Sequence, residues 1–528
     1  MKLITVVAAC CGLAAAQQHH HAGAAGEKPV ALYPGLGIWK HPIATSNPEA
    51  QKFFDQGLIL LYSFNRPEAL RSFRKALELD PKAAMAQWGV SMAIGPYINM
   101  DGDPDVDPKK SCEAAQAGLK FEGLNDTDRA WLEASAARCP DFSDPSKYIA
   151  AMRALAARFP DDPDAQTFFA ESFMVPVRWR WYDSKGNAAP GMDECERILE
   201  RVLRRYPNHP GANHFYIHAV ESSPTPERAV PSAQRLMGIV PAAGHMVHMP
   251  GHIWLVLGEY NITADVNERA VEVDREYLGK TGMMSTYYAL YLHNLDFIRY
   301  ARSMQGRVAE VKKASAQLKE ANAPMSQMAP EFAGTIESVL FLTEVRNQQW
   351  DAILAEPRPK LAQTEWIWRY SRAQAMFAKG RTSQARAEQA EFEKIGKTLD
   401  RNSWWGVNKL GDVAGLASAV LDARLSSSPE TWRKAVELQD RLAYDEPPAW
   451  YYPVRESLGA SLLASGDAPG AEEVFREGLR RSPHNGRMLF GLLESLKAQN
   501  KTDAAAWVQR EFDAAWKGAD LPLRLKDL

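Results

Sequence analysis

The chain has 528 residues, 62 basic and 65 acidic side chains for a formal charge of −3, and 46% apolar residues. This is the balance of an ordinary folded protein, and the length suits either two or three compact domains or one extended repeat array. No segment concentrates positive charge into the stripe that a nucleic-acid groove requires, so that class of partner is excluded.

Residues 1–16 read as an export signal: Lys2 supplies the positive start, Leu3 to Leu13 a mostly apolar core, and Ala14-Ala15-Ala16 a small-residue cleavage site. Too little apolar chain precedes Val7-Ala8-Ala9-Cys10 for it to serve as a lipoprotein box. Residues 17–45 form a flexible N-terminal segment that includes His19-His20-His21 before an Ala/Gly run. No later stretch reaches 18 uninterrupted apolar residues, so no membrane span is expected. The expected location is periplasmic or secreted. Beyond the signal only Cys112, Cys139 and Cys195 remain, which make neither a disulfide framework nor a CxxC site. A Cys112–Cys139 bridge and three unpaired packing cysteines stand as equal alternatives.

The folded part starts near residue 46 with a repeat. Gly57, Ala69, Phe73, Ala76 and Pro81 fall at spacings of 12, 4, 3 and 5, and Gly459, Ala471, Phe475, Gly478 and Pro483 reproduce those spacings near the other end. Each leading glycine is followed 32 positions later by another, Gly89 and Gly491. This is the tetratricopeptide pattern, in which one helical hairpin cannot bury its apolar face alone and stacking closes the core. The fold expected is all-α, an α-solenoid of tetratricopeptide-like hairpins, curved with a concave groove and without sheet. Two solenoid segments are expected, 46–325 with a histidine-rich groove and 326–528, divided near Ala321-Asn322-Ala323-Pro324.

Two stretches depart from the pattern. Asp101 to Asp107 alternates acids like a calcium loop but lacks the closing Glu, and reads as an acidic turn. Val177-Arg178-Trp179-Arg180-Trp181-Tyr182 and the residues after it lengthen a hairpin turn to about fifteen residues, and loops of that length are often functional. The expectation is a lid over the groove rim, against the alternative of a loop packed outside.

Seven of the twelve histidines lie between 209 and 293. In the repeat register His214 and His218 are the fifth and ninth residues of one first helix. His245, His248 and His252 are the second, fifth and ninth of the next, and His293 and Asp296 are the second and fifth of a third. Gly258 and Gly306 mark the intervening turns. These positions face the groove. At about 100° per residue His245, His248 and His252 fall within about 60° of one another, but the first and last lie about 10 Å apart along the axis. One ion therefore cannot easily take all three, and the pattern points to one metal shared between helices or two adjacent metals. The metal ligands named by this reading are His214, His218, His245, His248, His252, His293 and Asp296. Glu221 is the candidate catalytic base or imidazole-orienting carboxylate. His209 reads as a turn residue, and His41 and His484 as structural.

Asn213 to Glu221, Pro241 to His252 and Trp450-Tyr451-Tyr452-Pro453-Val454-Arg455 resemble a group of bacterial tetratricopeptide proteins with a histidine-rich block, over most of the chain. The resemblance implies the fold and a bacterial envelope setting, and it transfers no activity. Members of that group often carry histidine where Asp296 stands, and that departure shifts the expected metal toward zinc or iron and away from an all-imidazole copper centre.

Two functions follow. One is a groove that binds a transition metal (copper or zinc, with iron a third choice), either as a store or as a metal-dependent oxidoreductase or hydrolase. The other is an interaction scaffold that holds a peptide or protein partner and needs no metal.

Overall fold

The computed structural model describes residues 29–99, 103, 105–139, 141–282, 286–426 and 428–528. The export signal, His19-His20-His21 and the start of the N-terminal segment lie outside the described residues. The described chain is all-α. Its strands are two residues long, Trp404–Trp405 against Asn408–Lys409, closed by a left-handed Gly406. An isolated bridge joins Tyr182 and Ala188. The expectation of no sheet fails only at these two turns.

Helix starts follow the sequence closely. Asn47 accepts from the backbone N–H of Glu49 and Ala50 and is followed by Pro48. The same combination of an oxygen-bearing cap and a first-turn proline opens Pro108–Gly118, Pro163–Met174 and Pro429–Gln439. The cap satisfies donors that have no intrahelical acceptor, and proline has no N–H to waste at that position.

The described residues form two compact units, one within 29–253 and 266–294, the other within 254–265 and 295–528. The division falls near 254, 266 and 295.

In the first unit Pro48–Tyr62, Arg66–Leu79 and Ala84–Ile94 pack in succession. The reason is visible at Phe73, which is fully buried. A Cβ on Gly57 would come within 2.7 Å of its ring, and one on Gly89 within 2.3 Å. Two glycines from flanking helices thus clear the space that one aromatic side chain fills. In the second unit Gly459 and Gly491 clear the same space for Phe475, at 2.5 and 2.1 Å, between Arg455–Ala464, Ala468–Arg481 and Gly486–Ala498. The repeated spacing in the sequence is the imprint of this packing.

Cys112 and Cys139 are joined in a disulfide, and Cys195 is a buried free thiol. Of the acidic stretch, Asp103 accepts from the Tyr97 hydroxyl and from the Asp105 backbone, and Asp107 caps the following helix. Among the described residues no helix is long and apolar enough to cross a membrane.

Candidate metal centre

All six predicted histidines belong to the first unit. His214 and His218 lie one turn apart on Pro210–Glu221. That helix is started by His209, whose Nδ1 accepts from Ala212 N at 3.0 Å. His245 and His248 lie on Gly244–His248, and His252 on Pro250–Val256, which follows after one residue. His293 comes from Tyr287–Met304. The expected turns at Gly258 and Gly306 are present, both with positive φ.

The side chains converge. The ligand-capable atoms of His214, His218 and His245 lie within 4.8 Å of one another, and so do those of His248, His252 and His293. A third group of the same tightness, His218, Glu221 and His252, ties the two triads together. Across the gap the ring centroids of His218 and His252 are 5.4 Å apart, and those of His245 and His248 are 5.7 Å apart.

Three imidazoles donate from Nδ1 to an accepting oxygen, and a fourth has Nδ1 close to a carboxylate. His214 Nδ1 donates to Tyr62 O at 2.5 Å, His218 Nδ1 to Glu221 Oε1 at 3.0 Å and His248 Nδ1 to Asn267 Oδ1 at 2.6 Å. His252 Nδ1 faces Glu221 Oε2 at 2.8 Å. A neutral imidazole carries one hydrogen, so Nε2 of His214, His218 and His248 is a bare lone pair. His252 Nε2 lies 2.8 Å from His248 Nε2, which can accept a hydrogen bond from it. His245 Nε2 approaches His214 Nε2 to 3.1 Å, and His218 Nε2 is buried with no hydrogen-bond partner in the structure.

Burial, reinforced by the neighbouring imidazoles, holds His214, His245 and His248 well below the ordinary histidine range and pushes His293 down to about 3. Burial also lowers His218, against the opposing pull of Glu221. For Glu221 burial acts upward, but the charge and hydrogen bonding of the imidazoles beside it outweigh that and hold it below the ordinary carboxylate range. The cluster is thus a set of buried imidazoles around one ionised carboxylate.

Asp296 does not join these groups. Its carboxylate accepts from Arg299 Nε at 2.6 Å, and it belongs to the second compact unit. His41 and His209 meet at the buried Asp164, at 2.9 and 3.1 Å, where Tyr62 Oη also donates at 2.6 Å. That hydrogen-bonded hub fits their reading as structural residues.

Several residues at the centre escaped the sequence. Asn267, nineteen positions beyond His248, reaches it because Gly251 leaves room: a Cβ on Gly251 would lie 2.6 Å from Asn267 Nδ2. Phe64, buried and with a left-handed φ of 56°, places its ring 4.5 Å from His214 and 5.1 Å from His245. Nothing local in Ser63-Phe64-Asn65 announces that role. The long loop was noticed, and its two tryptophans pack on the cluster. The rings of Trp181 and Trp179 lie 5.7 and 6.0 Å from His218, and Trp181 is buried with Nε1 donating to Met174 O.

Comparison with known proteins reaches a different part of the chain. Residues 457–519 match the tetratricopeptide repeat family model. No curated protein matches. Among solved structures, the crystal structure of the yeast Tom70 aligns at 12% identity over 88% of this chain and 90% of that one, with a TM-score of 0.29. The chain is therefore an all-α protein of helical hairpins that carries a tetratricopeptide-like repeat at residues 457–519.

Proposed function

We propose that this chain binds a pair of transition-metal ions, one on His214, His218 and His245 and one on His248, His252 and His293. The observation that carries the reading is the convergence of six imidazoles into two triads, each with its ligand-capable atoms within 4.8 Å of one another. Metal binding demands neutral imidazoles, and burial favours that form at His214, His245, His248 and His293.

Glu221 acts as a positioning residue. One oxygen accepts from His218 Nδ1 and the other lies 2.8 Å from His252 Nδ1, so it positions one ligand of each triad. With Asp296 held by Arg299, the donors reduce to imidazole, which suits copper better than the mixed set expected from the sequence; zinc and iron are the alternatives. A copper pair on imidazoles alone would supply oxidative chemistry with dioxygen. The hydrolytic alternative, with Glu221 as base, is disfavoured because that carboxylate is already engaged. A periplasmic or secreted location is part of the proposal, supported by the signal-like residues 1–16 and by the Cys112–Cys139 disulfide.

The test is reconstitution of metal-stripped protein with copper(I), zinc or iron(II), followed by elemental analysis of the wild type, His248→Ala and His252→Ala. Each variant is expected to lose one ion per chain while keeping its helix content. Full copper in both variants would overturn the proposal.

A second reading is favoured by the repeat match at 457–519, which by itself supports only an interaction scaffold. Capture of a protein partner that persists unchanged in the metal-stripped protein would place function there.

A further inference from the structure

The second unit contains a cavity of about 610 Å³ that the metal reading does not use. Its walls are aromatic on one side, with Trp350, Phe377, Trp432 and Tyr451, and cationic on the other, with Arg346, Arg424 and Arg487.

The unspent hydrogen-bonding groups here are one-sided. Arg346, Arg424 and Arg487 each have a buried Nε with no acceptor, and Ser461 Oγ on the same wall has no partner. All four can donate. At least one Nη of each is already engaged. Arg346 uses its pair on Glu456, at 3.1 Å to each oxygen. Arg487 donates to Asp527 O at 3.1 Å and to Arg346 O. Arg424 donates to Leu528 O at 3.0 Å and Ser457 Oγ at 3.1 Å, with its guanidinium 4.9 Å over the Trp432 ring. Among the described residues neither Arg424 nor Arg487 forms an ion pair with an Asp or Glu side chain.

Arg346 and Arg487 are almost fully buried, at 3% and 4% exposure. Leaving donors of buried guanidinium groups unmatched is costly, and the cost is recovered when a ligand supplies acceptors. Burial lowers Arg487 to about 10, which still leaves it charged at neutral pH. Ligand pockets of this size combine an apolar body with a few convergent polar groups.

We propose that this cavity binds a small organic carboxylate with an aromatic or apolar body, its anionic end on Arg424 and Arg487 and its body against Trp432 and Tyr451. The carboxylate supplies the acceptors that the wall lacks, and the rings supply the area that a body of that size covers. This inference is independent of the metal centre.

The experiment is a calorimetric titration of the full chain with 3-phenylpropanoate and with the matching neutral amide, 3-phenylpropanamide, repeated on Arg424→Gln. The acid is expected to bind at one site, with the amide and the variant each weaker by about tenfold or more, the value of a lost charge-assisted hydrogen bond. Arg424 is less buried than Arg487 and makes no bond to Glu456, so its substitution spares the Arg346–Glu456 pair. The acid–amide comparison needs only the wild type, so it holds even if the variant fails to fold. Equal affinity for acid and amide, or no binding of either, overturns the proposal.

Discussion

Glu221 shows how much a single side chain can organise. One buried carboxylate accepts from His218 Nδ1 and lies 2.8 Å from His252 Nδ1, and so sits against one imidazole of each triad. Glu221→Gln keeps the shape but can accept from only one of the two imidazoles and presents N–H to the other. Metal affinity is expected to fall by about 10- to 100-fold, the usual effect of losing an outer hydrogen-bond partner, as read by competition with a calibrated chelator. Unchanged affinity would mean that the imidazoles orient themselves. At this scale the sequence was informative about residue type and poor about partners. Histidine spacing of three and four announces a shared helix face, so the six imidazoles were legible. Asn267 and the Tyr62 carbonyl were not, because their contacts depend on how closely helices distant in sequence approach. Asp296 sits one turn beyond His293 in sequence, but that turn offered it Arg299, and a nearby guanidinium is a strong competitor for a carboxylate.

Between elements, the packing of Phe73 predicts the cost of disturbing a repeat. Phe73→Ala leaves a void between two glycines, where the neighbouring helices have no side chain to fill it. The expected loss is about 3–5 kcal/mol by denaturant unfolding, and a loss below about 1 kcal/mol would contradict the account of the repeat. The loop at 177–182 makes a different prediction. Trp179 has a left-handed φ of 64°, which disfavours any residue but glycine, and its ring covers His218. Trp179→Gly relieves the backbone and removes the cover, so the chain should stay folded while a chelator strips metal faster than from the wild type. An unchanged stripping rate would make the loop ordinary packing. The short hairpin at 404–409 is tied down by Asp445, which accepts from Val407 N at 3.1 Å and whose carboxyl burial pushes up to about 7. The folded chain therefore holds this proton more tightly than the unfolded one, and the group's contribution to stability falls as pH rises from about 4 to about 7. Asp445→Asn should flatten that part of the profile and be least harmful at pH 8, as followed by thermal unfolding. A variant most harmful at pH 8 would contradict the assignment. This hairpin was missed because two-residue strands leave no periodic pattern to read.

Over the whole molecule, the repeat was legible because it recurs. The spacings at 57–81 and 459–483 are two copies of one packing solution, and each copy alone would have been weak. The division into compact units was not legible, because it follows which helices touch and cuts through Tyr260–Thr281 and Tyr287–Met304. No local composition marks such a cut. The repeat match and the histidine cluster fall in different units, so a scaffold role and a metal role need not exclude each other. The measurement that tests the central claim most directly is the metal content per chain of untagged protein purified without chelators and then saturated with copper(I). The account predicts two tightly held ions per chain, removed together with neither loss of helix nor loss of the disulfide. A protein that takes up no stoichiometric metal under these conditions contradicts it.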